Sequence, residues 1–330
     1  MRTDPKLTDN QEIDDTYDNT GTPLKGKFGV FFGALLVALA VSCGSAATPT
    51  AAPTAAPSPA TTAEGEDEVM AILATTQLDV GKQRLAFLLT TPKGLIKDAD
   101  VSVTAVYLEE DVAGEPQQTE FHLWPYGSRG AYTTGVDFNR AGRWRLDIDV
   151  DGPETSGRTQ VNLEIGEKSP VPAVGEVGPL SRNKTLGTET NIEKLTTDYN
   201  PDPDLYQLTI EEAVASPLPA VVVFASPNFC TSPTCGPQVD TVSELKDAHK
   251  GEANFIHVEI YDNPDEIQGD LDRAEIAAPV DEWGLTSIPH WFNESWTFVL
   301  DSEGRIQSRF EGYATLEELE ASLTAVLAGS

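Results

Sequence analysis

Cys230 and Cys235 stand close together in the run V-V-V-F-A-S-P-N-F-C-T-S-P-T-C-G-P-Q, the second followed directly by Gly236 and Pro237. Two neighbouring thiols have two principal chemistries. They exchange with disulfides, or they ligate a soft metal ion, and both reactions proceed through the thiolate. Such a pair can also simply staple a loop. The histidines that could join a metal site are His257, in a strongly apolar run, and His290, in S-I-P-H-W. Asp240, Glu244 and Asp247 follow the cysteines at helical spacing and read as a solvated face. The chain shows no Ser-His-Asp pattern, no glycine-rich phosphate loop and no zinc-finger spacing.

The third cysteine, Cys43, has a different setting. Lys25 and Lys27 precede an apolar run, F-G-V-F-F-G-A-L-L-V-A-L-A-V, that ends at Ser42. A positive flank, a short apolar stretch and small residues before the break describe a secretory signal, too short for a spanning helix of about 20 residues. The ending A-V-S-C-G-S resembles a bacterial lipoprotein signal, in which the cysteine becomes the lipidated first residue of the mature chain. Ala40 stands where Leu is usual. The other reading is an uncleaved N-terminal anchor helix; both place the remainder outside the cytoplasm, at a membrane. The acidic residues 1–26 suit a cytoplasmic tail, or a start site nearer Leu24. With Cys43 assigned to lipid, Cys230 and Cys235 remain for each other, and an oxidising compartment lets them pair.

The elements that must position this chemistry follow in order. Residues 1–43 are leader and signal or anchor. Residues 44–66 are mostly Ala, Thr, Pro and Ser, a disordered spacer that reaches roughly 70 Å when extended. Residues 67–165 alternate with strand period. Trp144, Leu146, Ile148 and Val150 interleave with Arg145, Asp147 and Asp149, while Tyr132, Thr134, Val136 and Phe138 form a second run. Val101, Val103 and Ala105 form a third, and Val161, Leu163 and Ile165 a fourth. This pattern predicts an antiparallel sandwich. On L-D-V-G-K-Q-R-L-A-F-L-L and G-A-Y-T-T-G-V-D-F-N-R-A-G-R-W-R-L-D-I, the segment resembles the YtkA-like and FixH-like immunoglobulin-type domains of envelope proteins. His122 and Trp124 are read as strand residues rather than ligands. Residues 166–199, rich in Pro and Gly, read as an interdomain linker.

Residues 200–330 change character. Thr209 with Glu212 forms a capping box, as does Thr315 with Glu318. Ala220–Ala225 is apolar on both faces, which belongs in the middle of a covered sheet. Val239 to His249 reads as a helix, Asn254 to Tyr261 and Trp296 to Leu300 as strands, and D-S-E-G turns the chain into a further strand at 305–310. Leu316, Leu319, Leu323 and Leu327 stripe a last helix. With the cysteines between the first buried strand and the next helix, this order resembles the thioredoxin family. Cys235-Gly236-Pro237 matches the first three positions of its C-G-P-C turn, Gln238 stands at the fourth, and Cys230 is displaced upstream. The expected fold is therefore an α/β thioredoxin-like domain behind an all-β immunoglobulin-like sandwich.

The resemblance implies thiol–disulfide exchange. Cys235, at a helix N-terminus that favours the thiolate, is expected to attack, and Cys230 to resolve through a Cys230–Cys235 disulfide. Gly236 and Pro237 support the turn. Ser295 takes the position where thioredoxins carry a cis-proline, since Pro289 lies too far upstream. No bound cofactor is required. The rivals are a copper site in the manner of the Sco family, from Cys230, Cys235 and His290 or His257, and a peroxidase reading of Pro227, Thr231 and Cys235 that misses its spacing by one residue. Trp283, Trp291 and Trp296 read as core or as a peptide groove. The net charge of −31, from 22 Lys and Arg against 53 Asp and Glu, excludes nucleic acid as a partner. The expected partners are protein thiols or disulfides, and a bacterial membrane reached through the lipid anchor or N-terminal helix.

Overall fold

The structure, a computed structural model, describes residues 68–329 apart from Tyr126, Ser128, His290, Phe292 and Asn293. The expected signal, the lipidation site at Cys43, the 44–66 spacer and the candidate ligand His290 lie outside the described residues. Among those described, no helix is long and apolar enough to cross a membrane.

The alternating segment forms two antiparallel sheets. Its strands are β1 (Met70–Leu73), β2 (Gly81–Thr91), β3 (Gly94–Leu95), β4 (Asp100–Tyr107), β5 (Val112–Ala113), β6 (Gln117–Gln118), β7 (Glu120–Leu123), β8 (Gly130–Phe138), β9 (Gly142–Asp151) and β10 (Ser156–Ile165). One sheet runs β1-β2-β8-β7 with β3 beside β2, the other β10-β9-β4-β5 with β6 beside β4. The short turn after Phe138 therefore carries the chain from one sheet to the other and does not close a hairpin. Leu85, Phe87 and Leu89 of β2 and Tyr132, Val136 and Phe138 of β8 share one core with Val101 and Val103 of β4 and Trp144, Leu146, Ile148 and Val150 of β9. The residues between the buried ones on β9 face outward, as period-2 pleating requires.

The second half is a four-stranded mixed sheet with helices on both faces. Its elements are α1 (Ile210–Val214), β11 (Ala220–Ala225), α2 (Cys235–Ala248), β12 (Asn254–Glu259), α3 (Pro264–Ile267), α4 (Ala278–Glu282), β13 (Trp296–Leu300), β14 (Ile306–Glu311) and α5 (Leu316–Gly329). The strand order is β12-β11-β13-β14, with β12 parallel to β11 and the other pairs antiparallel. All six residues of β11 are buried. Val221, Val223 and Ala225 pack against Val239, Val242 and Leu245 of α2 and Leu319 and Leu323 of α5. Val222 and Phe224 pack on the opposite face, with Ile210 and Ala213 of α1 and Val280 of α4. Both capping boxes are present. This architecture is consistent with a thioredoxin-like domain behind a β-sandwich. The sequence reading did not anticipate α3 and α4, each opened by a proline in its first turn.

Residues 166–199 connect the two halves but are not a loose spacer, since Val171, Ser181, Asn183, Thr185, Leu195, Thr196 and Thr197 are buried. Arg309 of β14 donates to the carbonyls of Val171 and Pro172, to Gln83 Oε1 at 3.0 Å, and to the carboxylate of Asp79. Arg84 of β2 makes a two-pronged pair with Glu318 at 2.7 and 3.0 Å and also donates to the carbonyl of Tyr313. Burial pushes the Glu318 carboxyl up, but Arg84 outweighs it and holds Glu318 below the usual carboxylate range. Glu311 accepts from the amides of Thr76 and Gln77, closing a third polar tie between sandwich and sheet.

Candidate functional site

The segment 226–234 leaves the buried end of β11 and delivers Cys235 as the first residue of α2. Cys230 and Cys235 are joined in a disulfide with a Cα–Cα distance of 6.0 Å. The backbone amides of a first helical turn lack intrahelical partners and carry partial positive charge, so α2 favours a thiolate at Cys235. Pro237 falls within that turn, where a missing N–H breaks no hydrogen bond. Gly236 is not sterically required: a Cβ there would meet only Pro227, its carbonyl oxygen at 3.7 Å and its Cβ at 4.0 Å. Gln238 is fully buried and accepts from the amide of Ala314 at 2.7 Å, tying α2 to the segment before α5.

The two sulfurs differ in access. Cys235 is completely buried, whereas Cys230 is partly exposed. Thus the cysteine expected to attack is the one an incoming group cannot reach in this oxidised form.

The sequence reading missed Glu294. Its Oε1 lies 3.7 Å from Cys230 Sγ and 4.0 Å from Cys235 Sγ. The hydroxyls of Ser232 and Thr234 donate to the same oxygen at 2.8 and 2.7 Å, and the amide of Ser295 at 3.1 Å. Thr234 precedes α2 as its N-cap but spends its hydroxyl on Glu294 rather than on the helix. Ser295, the expected supporting residue, is buried and its carbonyl accepts from Gly312, so it anchors the approach to β13 while its neighbour reaches the sulfurs. The signal that could have found Glu294 was its place immediately before Ser295, at the entry to the strand that lies beside β11.

The sandwich also reaches this region. Trp124, just beyond β7, lines a cavity of about 230 Å³ together with Ala74, Ser232, Thr234, Glu294 and Tyr313. It lines a second, of about 360 Å³, with Arg129, Pro233 and Pro237. Trp124, expected within a strand, thus stands one residue past the end of β7. Trp283 and Trp296, by contrast, are buried against Phe298 and form core, not a groove.

His257 does not join the cysteines. Its Nε2–H donates to the carbonyl of Ala225 at 3.0 Å, which leaves Nδ1 to accept from the Tyr206 hydroxyl at 2.7 Å. Burial pushes this imidazole down to about 4, against the pull of that carbonyl. Two residues on, Glu259 accepts from the amide and hydroxyl of Thr197 at 2.7 and 2.9 Å. Burial raises its carboxyl to about 7, against hydrogen bonds from Thr197 and Ser226. Thr197 in turn receives the backbone amide of Asn228, so this network underlies the segment that carries Cys230.

Neither a protein-family model nor a curated protein matches the chain. Among solved structures, it is similar to a thiol:disulfide interchange protein of the thioredoxin family from Chlorobium tepidum TLS, at 13% identity and a TM-score of 0.25, over 33% of this chain and 80% of that one. It is also similar to a DUF4426 family protein from Pseudomonas aeruginosa PAO1, at 12% identity and a TM-score of 0.22, over 31% of this chain and 90% of that one.

Proposed function

We propose that this chain is a membrane-anchored, extracytoplasmic thiol–disulfide oxidoreductase acting on protein thiols or disulfides. The observation that carries the reading is a disulfide at the start of α2 with one partly exposed and one buried cysteine, and a carboxylate within reach of both sulfurs. The lipoprotein-like ending at Cys43 supports the location.

In this reading the two cysteines exchange the roles expected of them, because Cys235 is the buried one. A substrate thiolate attacks Cys230 Sγ, the Cys230–Cys235 bond breaks, and its electron pair leaves on Cys235. A sulfur at a helix N-terminus is the better leaving group, because a lower thiol pKa speeds departure. A second substrate thiolate then attacks the substrate sulfur of the mixed disulfide. The substrate disulfide forms and Cys230 is released as thiolate. The substrate loses two electrons and two protons, and the protein gains them. Glu294 Oε1 is the group placed to accept and return a thiol proton. Run backward, the same steps reduce a substrate disulfide.

The test is the reduction potential of the pair, equilibrated against glutathione with thiol trapping. A value between roughly −120 and −270 mV supports exchange. A value below about −300 mV marks a structural staple and overturns the reading.

A further inference from the structure

We propose that the reduced pair, together with Glu294, forms a binding site for one zinc ion, which disulfide formation expels. The proposal shares one premise with the exchange reading: the disulfide can be reduced.

The donor atoms already converge. One ligand atom each from Cys230, Cys235 and Glu294 lies within 4.8 Å of the others. A tetrahedral zinc ion with Zn–S of about 2.3 Å and Zn–O of about 2.1 Å requires S···O separations of about 3.6 Å. The observed separations are 3.7 and 4.0 Å. Reduction must let the sulfurs part to about 3.8 Å, the edge of the same tetrahedron. Side-chain rotation can supply that, because Cys230 belongs to a partly exposed segment outside helix and strand.

The donor chemistry selects the metal. Two thiolates exclude calcium and magnesium, which take oxygen ligands. A carboxylate as third ligand suits borderline zinc better than Cu(I), which favours sulfur. The hydroxyls of Ser232 and Thr234 and the amide of Ser295 orient the carboxylate, as hydrogen bonds commonly do for ligating carboxylates. The α2 N-terminus favours the thiolate at Cys235. Glu294, Ser232 and Thr234 also line the 230 Å³ cavity, which gives a fourth ligand, water or a substrate group, a route to the metal.

The balance is simple. Reduction by a dithiol gives two protein thiols and one reductant disulfide. Zinc binding then releases two thiol protons. When a disulfide substrate reoxidises the pair, that substrate takes up two electrons, the thiolates vanish as ligands and the ion leaves.

The experiment uses the full chain, reduced with a phosphine and desalted anaerobically. Thiols are counted against the oxidised form, and Zn²⁺ is titrated against a chromophoric chelator. Co²⁺ substitution reports thiolate ligation through its charge-transfer absorption. The oxidised chain carries the same surface acids and so controls for loose binding to them. The expected result is two additional thiols and one tightly bound Zn²⁺ per reduced chain, with none in the oxidised chain. Glu294→Gln should weaken binding at least ~10-fold, and Cys230→Ser should abolish it. Two additional thiols without zinc binding, or Glu294→Gln binding like the parent, overturns this proposal alone. Failure to generate the thiols overturns it together with the exchange reading.

Discussion

Replacing Glu259 with Gln should expose a compensation buried in β12. Glu259 and His257 are both buried, and their carboxyl and imidazole are shifted in opposite directions, to about 7 and to about 4. In the unfolded chain they titrate near their ordinary values of 4.5 and 6.5. As pH rises from about 4.5 to about 7, folded Glu259 keeps a proton that the unfolded chain has lost. Stability therefore falls by about 1.4 kcal/mol per pH unit from this group. Between about 4 and 6.5, folded His257 lacks a proton that the unfolded chain holds, so its contribution rises with pH at the same slope. Across the shared window the two slopes cancel. Glu259→Gln removes only the falling limb. The stability of the variant minus that of the parent should thus climb by about 3 kcal/mol between pH 4.5 and 7, and be level outside that range. Urea unfolding followed by tryptophan fluorescence at half-unit pH steps measures the difference, and the other carboxylates drop out of it because both proteins share them. A level difference across the window would refute the assignment of a retained proton to Glu259. A difference that falls with pH below about 4.5 and is level above it would mean that its carboxyl is depressed, not raised.

Other expectations follow from the same geometry. With a substrate carrying a single disulfide, Cys235→Ser should accumulate a mixed disulfide on Cys230, while Cys230→Ser should trap little; the opposite pattern in non-reducing mass spectrometry would restore Cys235 as the attacking sulfur. Asp79→Asn leaves the Arg309 guanidinium, only 6% exposed, without its carboxylate and should cost about 3–5 kcal/mol, read by denaturant midpoint. Trp283→Ala empties a fully buried site between Phe224 and Phe298 and should cost about 3–5 kcal/mol in the same assay. Gly236→Ala should change stability by no more than about 1 kcal/mol, since the added methyl meets nothing closer than 3.7 Å; a large loss would show that Gly236 is held by a contact the backbone does not reveal.

Features that depend on near neighbours in the chain were legible before the fold was known. The capping boxes at Thr209 and Thr315 are local hydrogen-bond patterns. The alternation on β9 is a consequence of pleating, and the unbroken apolar run of β11 reports burial on both faces. Cys235-Gly236-Pro237 announces a helix start for the same reason. The helices α3 and α4 were not legible, because four or five residues hold too little periodicity to stand out.

The residue types at the centre of the site, two thiols beside a helix start, are thus a property of the amino-acid sequence alone. Tertiary structure decided which of them is buried and which acid stands beside them. Glu294 reaches the sulfurs across sequence separations of 64 and 59 residues, because the segment before β13 runs beside the end of β11. Cys235 is hidden because α2 packs that residue into the core of the sheet, while Cys230 stays on the outer segment. Arg309 meets Asp79 across 230 residues, and that pairing helps hold the sandwich, with Trp124, beside the disulfide. A lone acid, a lone arginine and a tryptophan at a strand end carry no periodicity and no local partner. Their meaning arises only when packing brings distant segments within the few ångströms over which hydrogen bonds and charge pairs act.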